Sequence, residues 1–252
     1  MPHVSWQTTM NGCCMSADQL SVAVPIEVSV VLPCLNEAWS VGACVHAAWQ
    51  GIASLGVRGE VIVSDSGSTD ASRRIAAHAG ARVVRAPRVG YGAALRHGIA
   101  AARGTYAIIA DSDASYDLTD VARFWDRLQA GDDLVIGNRF QGRIADGAMP
   151  FLHRYLGNPM LSVLGRALTD SAVGDFQSGM RAFRTSAIAD LQLRADGMEF
   201  ASEMIAKASS ARLRVSEIPI DLGNTPPGRE RSHLRPIRDG LRNVKTLIEL
   251  RH

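Results

Sequence analysis

The sequence lacks a long apolar run, has no Lys or Arg near its beginning and has no two cysteines in C-x-x-C spacing. No run of about eighteen apolar residues occurs, so we expect no membrane-spanning helix. The first Lys or Arg is Arg58, and a secretory signal needs positive charge before its apolar region, so we expect a cytoplasmic protein. The cysteines lack C-x-x-C spacing, which disfavours a zinc site and indicates reduced, packed thiols at Cys13, Cys14, Cys34 and Cys44.

Nucleic-acid binding is disfavoured because the 252 residues carry a net charge of only +2, whereas a nucleic-acid-binding protein has a concentrated basic face. A hydrophobic fraction of 46% with 21% charged residues excludes a disordered chain. An α/β chain of this length often folds as one domain. Positive charge does collect in residues 229–252, which contain seven Lys or Arg against three Asp or Glu.

Apolar runs alternate with helix-length segments from residue 27 onwards. The runs are typical of buried strands, and the segments between them have the apolar spacing of helices packed on a sheet. This alternation predicts an α/β fold with a Rossmann-like, mainly parallel sheet, in which ligands bind at the carboxyl ends of the strands. The predicted strands are 28–32, 61–64, 82–84, 106–110 and 134–136, and the predicted helices are 38–55, 71–79, 93–103, 155–168, 198–209 and 237–250.

Asp111 and Asp113 directly follow the fourth predicted strand. Two carboxylates at a strand end can face one hard cation, and Mg²⁺ or Mn²⁺ usually completes its shell with phosphate and water. The pair therefore points to a metal site and a diphosphate ligand. The spacing alone is also that of solvated turn acids or a helix cap, and the position after the fourth strand favours the metal site.

Two other loops carry candidate binding groups. Asp65 ends the second strand and could accept a hydrogen bond from a base ring, whereas Asp70 is suited to cap the next helix. Gly90 and Gly92 begin a predicted helix, where they either let a ligand approach the backbone or form a simple turn. Leu95 stands where a dinucleotide fingerprint needs a small residue, which disfavours an oxidoreductase.

Three of these strand-end segments together resemble family 2 glycosyltransferases of the GT-A fold. They are VVLPCLNE (30–37), DSGSTD (65–70) and DSD (111–113). Three later segments resemble the branch named for dolichyl-phosphate mannose and glucose synthases: GNRF (137–140), DFQSGMRAF (175–183) and GMEF (197–200). The resemblance keeps the family's order over about residues 27–250.

The resemblance implies a metal-dependent, inverting transfer of a hexose from a nucleoside diphosphate sugar. It assigns catalysis to Asp111, Asp113 and Asp175, with Mg²⁺ or Mn²⁺ held by Asp111 and Asp113. For Arg181 and Glu199 a structural ion pair is equally consistent. The nucleotide would lie against Pro33, Leu35, Asn36, Glu37, Asp65, Gly90, Gly92 and Asp111, and the sugar and acceptor against Arg139, Gln177, Ser178, Arg181, Glu199, Arg229 and Arg231.

We expect one GT-A domain over residues 27–252, preceded by an extension over 1–26 that could also add a short strand at 21–26. Within the domain, residues 27–140 would bind the nucleotide sugar and 141–235 the acceptor, and 236–252 would form an amphipathic helix. Two residues depart from the family pattern. Ala114 stands where a further acid is common, and His233 stands where a lysine is common.

The acceptor determines whether the reaction needs a general base. A phosphate monoester carries about −1.5 to −2 charge at pH 7 and is already a nucleophile. A hydroxyl needs a carboxylate within reach, for which Asp175 is the first candidate and Glu199 the second.

The leading interpretation is transfer to polyprenyl phosphate at the cytoplasmic membrane face, with peripheral membrane contact through the basic helix 236–252. That helix could equally pack against its own domain. One alternative is a soluble transferase acting on a polar hydroxyl acceptor, since many family members continue into membrane helices and this sequence does not. Another is a nucleotide-sugar-binding module without turnover.

Overall fold

Seven strands form one sheet in the part of the chain that the computed structural model describes, residues 25–151, 153–224 and 236–251. The strands are β1 (Val28–Cys34), β2 (Gly59–Asp65), β3 (Arg82–Arg85), β4 (Tyr106–Ile109), β5 (Leu134–Asn138), β6 (Arg181–Arg184) and β7 (Val215–Pro219). Their spatial order is β3-β2-β1-β4-β6-β5-β7. Because β6 pairs antiparallel with both β4 and β5, it alone among these strands runs against the rest.

Helices cover both faces of the sheet. In the described residues they are α1 (Val41–Leu55), α2 (Ser72–His78), α3 (Tyr91–Ala101), α4 (Val121–Gln129), α5 (Asn158–Thr169), α6 (Thr185–Asp190), α7 (Phe200–Ser210) and α8 (Pro236–Glu249). A π-helical turn, His153–Gly157, leads into α5. No helix among the described residues is long and apolar enough to cross a membrane.

The central strand β1 shows why the sheet needs two helical layers. All seven of its residues are buried. Successive side chains of a strand point to opposite faces, so Val30 and Leu32 pack in one apolar core with α1 and α4, while Val31 packs in the other with α3 and α7. A strand buried on both faces reads as a nearly continuous apolar run, and β1 has one, interrupted only by the buried Ser29.

The predicted α/β fold with a mainly parallel sheet is confirmed, and every predicted strand and helix overlaps one in the structure. The sequence did not indicate α4, α6, β6 or β7. Strand β6 reads Arg-Ala-Phe-Arg, and its buried Arg181 breaks the apolar run by which the other strands were recognised. The expected extension lies almost wholly outside the described residues, which begin at residue 25.

The sheet order brings three loops together. Strands β2, β1 and β4 are neighbours and parallel, so their carboxyl ends meet at one edge of the sheet. The loops that begin there are residues 35–40, 66–71 and 110–120. This edge carries the candidate site.

Candidate active site

A cavity of about 390 Å³ opens at the carboxyl edge of β1 and β4. Its wall includes many of the residues expected from the sequence: Pro33, Leu35, Glu37, Gly90, Asp111 and Asp113. It also includes residues that were not assigned to the site from the sequence: Cys34, Ser66, Val89, Tyr91, Ala94, Ser112, Gly197, Met198 and Asp239. Strand ends, the beginning of α3, the residues before α7 and helix α8 therefore all contribute to one concave surface.

Ser112, between the two aspartates, fixes their backbone to β1. Its hydroxyl donates to the Pro33 carbonyl at 2.6 Å, and its own carbonyl accepts from the Ser40 hydroxyl at 2.6 Å. The Asp113 carboxylate accepts from the Ser115 backbone N–H at 3.0 Å and from the Ser115 hydroxyl. Asp111 and Asp113 thus stand on an anchored segment with both side chains at the cavity wall.

Two tyrosines surround Asp111 on the protein side. The Tyr91 hydroxyl is hydrogen-bonded to the Asp111 carboxylate, and burial together with this negative charge raises the pKa of Tyr91 well above its usual value. Burial, and after it the Asp111 carboxylate, raises the pKa of Tyr116 to about 12. The Tyr116 hydroxyl accepts from the Gly179 N–H at 3.0 Å. A Cβ on Gly179 would overlap the Asp111 carboxylate, so only glycine leaves room there.

The donor set fits a hard divalent cation that shares its ligands with a phosphate. The two aspartates offer carboxylate oxygens to the cavity, and the described residues form no group of three or more His, Cys, Asp or Glu suited to a metal. Mg²⁺ commonly binds through one or two carboxylates and leaves its other positions to water and phosphate.

Loops after β1 and β2 are joined to each other by hydrogen bonds. Asn36, at a positive φ of 56°, accepts from the Thr69 N–H at 2.8 Å. Asp65 is 1% exposed and accepts from the N–H groups of Gly67 and Ser68 and from Arg73 at 3.3 Å. Neither Asn36 nor Asp65 is part of the cavity wall. Their contacts order the loops that form the wall.

The sequence predicted Asp70 as the helix cap; in the structure Asp70 lies one residue before the N-cap of α2, which is Ala71. The Asp70 carboxylate accepts from the Ser72 N–H at 2.9 Å and from the Ala38 N–H at 3.1 Å. Burial opposes ionisation of Asp70, but these hydrogen bonds outweigh it and lower its pKa. The acid therefore stabilises the beginning of α2 and ties it to the loop after β1.

Glycines at the beginning of α3 make room for the chain itself. Gly90 has a φ of 149°, and a Cβ there would overlap the Asp196 carbonyl. A Cβ on Gly92 would lie 2.8 Å from both the Gly197 carbonyl and the Phe200 Cβ. Of these two glycines, Gly90 borders the cavity and Gly92 does not. The sequence predicted that a ligand would approach these glycines; in the structure the segment before α7 approaches both of them.

Arg139 and Asp175 form a buried, bidentate ion pair. The guanidinium donates to the two carboxylate oxygens at 2.7 and 2.8 Å, and Asp175 is fully buried. The carboxylate also accepts from the N–H groups of Arg139 at 3.1 Å and Gln177 at 3.2 Å. Burial disfavours the cation, but Tyr116 and Asp175 overcome that effect and raise the pKa of Arg139. Both oxygens of Asp175 are thus engaged, and Asp175 does not border the cavity.

Arg181 and Glu199 do not form an ion pair with each other. The Arg181 guanidinium donates to three backbone carbonyls, those of Phe176, Ser178 and Ala201, at 2.7 to 3.1 Å, and burial lowers the pKa of Arg181 to about 10. Glu199 accepts from the Gly197 N–H at 3.1 Å through one oxygen. Its other oxygen is buried and has no hydrogen-bond partner among the described residues.

A polar cluster connects the loop after residue 174 with α8. The Gln177 amide donates to the Ser202 hydroxyl at 2.8 Å and to Asn243 Oδ1 at 3.2 Å, and Ser202 donates to the same oxygen at 2.8 Å. Ser178 is buried, with its hydroxyl unpaired among the described residues. Arg229 and Arg231 lie outside the described residues.

Sequence reasoning missed Tyr91, Tyr116, Asn243 and Asp239. Tyr91 lies between Gly90 and Gly92, and that position was the one feature of the sequence that could have indicated a role for Tyr91 in the site. The other three carry no motif. Only the fold brings Tyr116 beside Gly179, and only the docking of α8 brings Asp239 to the cavity.

Solved structures share this architecture. The glucosyl-3-phosphoglycerate synthase of Mycobacterium tuberculosis, solved with Mn²⁺, uridine diphosphate and glucosyl-3-phosphoglycerate, is 25% identical with a TM-score of 0.68. The match covers 89% of this chain and 80% of that one, and it confirms the GT-A fold.

Curated relatives are more similar in sequence. A low-salt glycan biosynthesis hexosyltransferase of Haloferax volcanii is 34% identical over 238 residues, 92% of this chain, and this chain spans 57% of that relative's length. A dolichyl-phosphate hexose transferase of the same organism is 30% identical over 198 residues, 77% of this chain and 81% of the relative.

The family model for glycosyl transferase family 2 matches residues 29–192, more than half of the chain. These residues include the segments after β1, β2 and β4 that form the cavity wall, together with the Arg139 and Asp175 pair. The chain is therefore a member of glycosyltransferase family 2.

Proposed function

We propose that this glycosyltransferase moves a hexose from a nucleoside diphosphate sugar to the phosphate of a polyprenyl phosphate. The observation that carries the proposal is the pair Asp111 and Asp113, held at the wall of a cavity that the ends of β1 and β4 also form. The first half of the domain, residues 27–140, would hold the donor, and residues 141–235 would hold the acceptor.

The donor assignment follows from the cavity's shape and chemistry. Pro33 and Leu35 offer apolar surface on which a base can lie, and Asp111 with Asp113 marks the position of the diphosphate. The Mycobacterium tuberculosis synthase, whose fold this chain shares, was solved with uridine diphosphate and Mn²⁺. A divalent cation held by Asp111 and Asp113 would stabilise the negative charge that develops on the leaving diphosphate.

Neighbouring residues orient the Asp111 and Asp113 carboxylates before a cation or diphosphate binds. Tyr91 and Ser115 hold the two carboxylates by hydrogen bonds, so the oxygens need not reorganise when a ligand arrives. Gly179 leaves the space that Asp111 occupies. Asn36 and Asp65, assigned to the nucleotide from the sequence, would act by ordering the loops after β1 and β2.

The acceptor assignment rests on the state of Asp175. A general base must be able to take a proton, but both oxygens of Asp175 are bound to Arg139 inside the protein. A phosphate monoester needs no such base, because it already carries negative charge at pH 7. The similarity to a dolichyl-phosphate hexose transferase supports the same acceptor class.

The proposed step balances without a proton transfer. A phosphate oxygen of the acceptor forms a bond to the anomeric carbon as the bond from that carbon to the diphosphate oxygen breaks. The electron pair of the broken bond leaves with the nucleoside diphosphate. Attack opposite the leaving group inverts the anomeric configuration, as the resemblance to family 2 implies.

A donor screen tests the proposal. The full chain is incubated with Mg²⁺ or Mn²⁺, short-chain polyprenyl phosphate and each of a panel of nucleoside diphosphate sugars, and products are identified by mass. We expect a polyprenyl phosphate hexose product from at least one donor. Parallel incubations contain a hydroxyl acceptor in place of polyprenyl phosphate, and product in those incubations alone would reject the acceptor assignment.

Transfer to a hydroxyl is the second candidate, since the structurally similar synthase was solved with glucosyl-3-phosphoglycerate. In that case Glu199 is the remaining base candidate, because one of its oxygens is buried without a hydrogen-bond partner among the described residues. Glu199→Gln would then abolish transfer. If the acceptor is a phosphate, Glu199→Gln should retain turnover within about tenfold, since no proton must be removed.

A further inference from the structure

Exposed apolar side chains are concentrated on two helices that pack against each other. Nine large apolar residues of the described chain are exposed, and seven of them lie at residue 151, in the π-helical turn, in α5 or in α8. These seven, together with the exposed basic residues between them, form what we call the helical patch. Its apolar members are Phe151, Tyr155, Leu156, Met160, Val163, Leu241 and Ile248.

One side of α5 exposes apolar residues. Met160 and Val163 are three residues apart and therefore share one side of the helix, 62% and 56% exposed. Leu156, in the π-helical turn just before α5, is 54% exposed. The inward side of α5 carries the buried Ser162 and Gly165 and the partly buried Leu164 and Leu168, which pack against the core. The helix is therefore apolar on its outer side as well, whereas a surface helix of a soluble domain ordinarily has polar residues there.

Helix α8 divides its apolar residues between the two sides. Leu247 is fully buried in the core, so part of the helix packs on its own domain as one reading of the sequence expected. Leu241 and Ile248 are seven residues apart and lie on the outer side, 67% and 47% exposed. The apolar residues of α8 thus divide between the core of the domain and the outer surface of the helix.

Charge around the patch is strongly biased. Residues 151–169 contain two Arg and no acidic residue, and residues 236–251 contain four basic and two acidic residues. Exposed members of this set include Arg166, Arg238, Arg242 and Lys245. An outward apolar stripe bordered by basic side chains has the chemistry of a helix lying in the interface of an anionic bilayer.

The buried sides of the same helices contact the loop after residue 174. On α5, the Ser162 hydroxyl accepts from the Phe176 N–H at 3.2 Å. On α8, Asn243 accepts from Gln177, and Asp239 borders the cavity. A bilayer surface bound by the outer faces of α5 and α8 would therefore lie beside the loop after residue 174, which belongs to the proposed acceptor half of the domain.

We propose that the helical patch is a docking surface for anionic lipid headgroups, with its apolar side chains inserted at the acyl boundary. The patch extends the membrane contact considered from the sequence, because it adds the π-helical turn and α5 to α8. The proposal deepens the proposed function, since a polyprenyl phosphate is presented at a bilayer surface. It can nevertheless be tested without any transfer reaction.

The test is cosedimentation of the full chain with vesicles that contain no polyprenyl phosphate and no donor. We expect binding to vesicles of phosphatidylcholine mixed with phosphatidylglycerol, and weaker binding to phosphatidylcholine alone. Met160→Glu with Val163→Glu should weaken binding by at least about tenfold, because two inserted apolar side chains are lost. Arg242→Gln and Lys245→Gln should each weaken it about fivefold, and added salt should do the same.

A matched variant controls for charge and folding. Ala53→Glu with Ala100→Glu makes the same change in net charge at exposed positions on α1 and α3, and it should bind as the parent does. Circular dichroism and thermal unfolding establish that each variant is folded. Equal losses in both double variants, or equal binding to the two vesicle types, would overturn the proposal. The proposal would also be overturned if the parent bound no vesicles and analytical sedimentation showed that the patch joins two copies of the chain.

Discussion

At the scale of single residues, the surroundings of Asp111 and Asp113 do most to define the chemistry. Both border the cavity, and each is held by neighbours: Asp111 by Tyr91, and Asp113 by Ser115. The following residue, Ala114, has a positive φ of 59°. Its side chain adds no acid to the pair, so the two aspartates are the carboxylates on which the proposed metal site depends.

Asp113→Asn should lower turnover by at least about 100-fold, because an amide oxygen is a poor ligand for a hard cation. The measurement is initial transfer rate as a function of Mn²⁺ concentration, with circular dichroism to establish an intact fold. Asp117→Asn is the control. Asp117 is exposed, lies in the same loop and accepts from the Thr119 N–H at 2.9 Å, which an amide oxygen can also do. Equal rates for Asp113→Asn and the parent would refute the metal assignment.

Tyr91→Phe should weaken Mn²⁺ binding about tenfold, because the Asp111 carboxylate loses a hydrogen bond that orients it. The affinity is measured by calorimetric titration in the presence of nucleoside diphosphate. Tyr106→Phe is the matched control, since Tyr106 packs edge-on against Trp125 with ring centroids 5.3 Å apart. An unchanged affinity in Tyr91→Phe would show that the tyrosine does not position Asp111.

At the scale of elements, helix α8 joins parts of the site that are distant in sequence. Asp239 borders the cavity, and one turn later Asn243 accepts from Gln177 and Ser202. The Asn243 amide in turn donates to the Asp239 carbonyl at 2.9 Å. The position of α8 is therefore coupled to the loop that carries Gln177.

Asn243→Ala should raise the KM for the acceptor several-fold and leave the KM for the donor nearly unchanged. The loss removes the acceptor of the buried Ser202 hydroxyl and one of the two acceptors of the Gln177 amide, at a cost of about 1 to 3 kcal/mol. Asn243→Asp retains the accepting oxygen and should restore most of the acceptor affinity. A parallel rise of both KM values in Asn243→Ala would indicate a general loss of structure instead.

At the scale of the whole molecule, stabilising interactions lie at the end of the sheet opposite the cavity. Glu60, near the beginning of β2, accepts from Ser29 on β1, from Arg82 on β3 and from the Arg103 N–H. Burial opposes ionisation, but the hydrogen bonds from these neighbours outweigh it and lower the pKa of Glu60 below its ordinary value of 4.5. Three strands are thus tied together far from the residues that would contact substrate.

Glu60→Gln should lower the free energy of unfolding by about 2 kcal/mol at pH 7. Because the folded pKa is depressed, the parent's advantage is present above pH 4.5 and disappears as the pH falls through the folded pKa. Thermal unfolding between pH 3 and 7 measures the difference. Glu27→Gln, at an exposed acid just before β1, is the control. A difference in stability that stays constant over this range would contradict the ionic explanation.

Several features followed from the sequence alone because they depend on local patterns. Apolar runs predicted β1, β2 and β4, and their polar ends located Asp111 and Asp113 at the carboxyl edge of a parallel sheet. Family membership was also recognisable from these strand-end segments. Such patterns persist in the structure because a buried strand and its first exposed residues are close in the chain.

Other features were decided only by the tertiary structure. Asp175 looked suitable as a base, but it lies in a buried pair with Arg139, which is 36 positions away. Gly92 makes room for the segment before α7, and Asp239 reaches the cavity from the far end of the chain. These contacts join residues distant in sequence, and whether a carboxylate meets a guanidinium or a ligand depends on how helices and strands pack. Composition and spacing do not specify that packing.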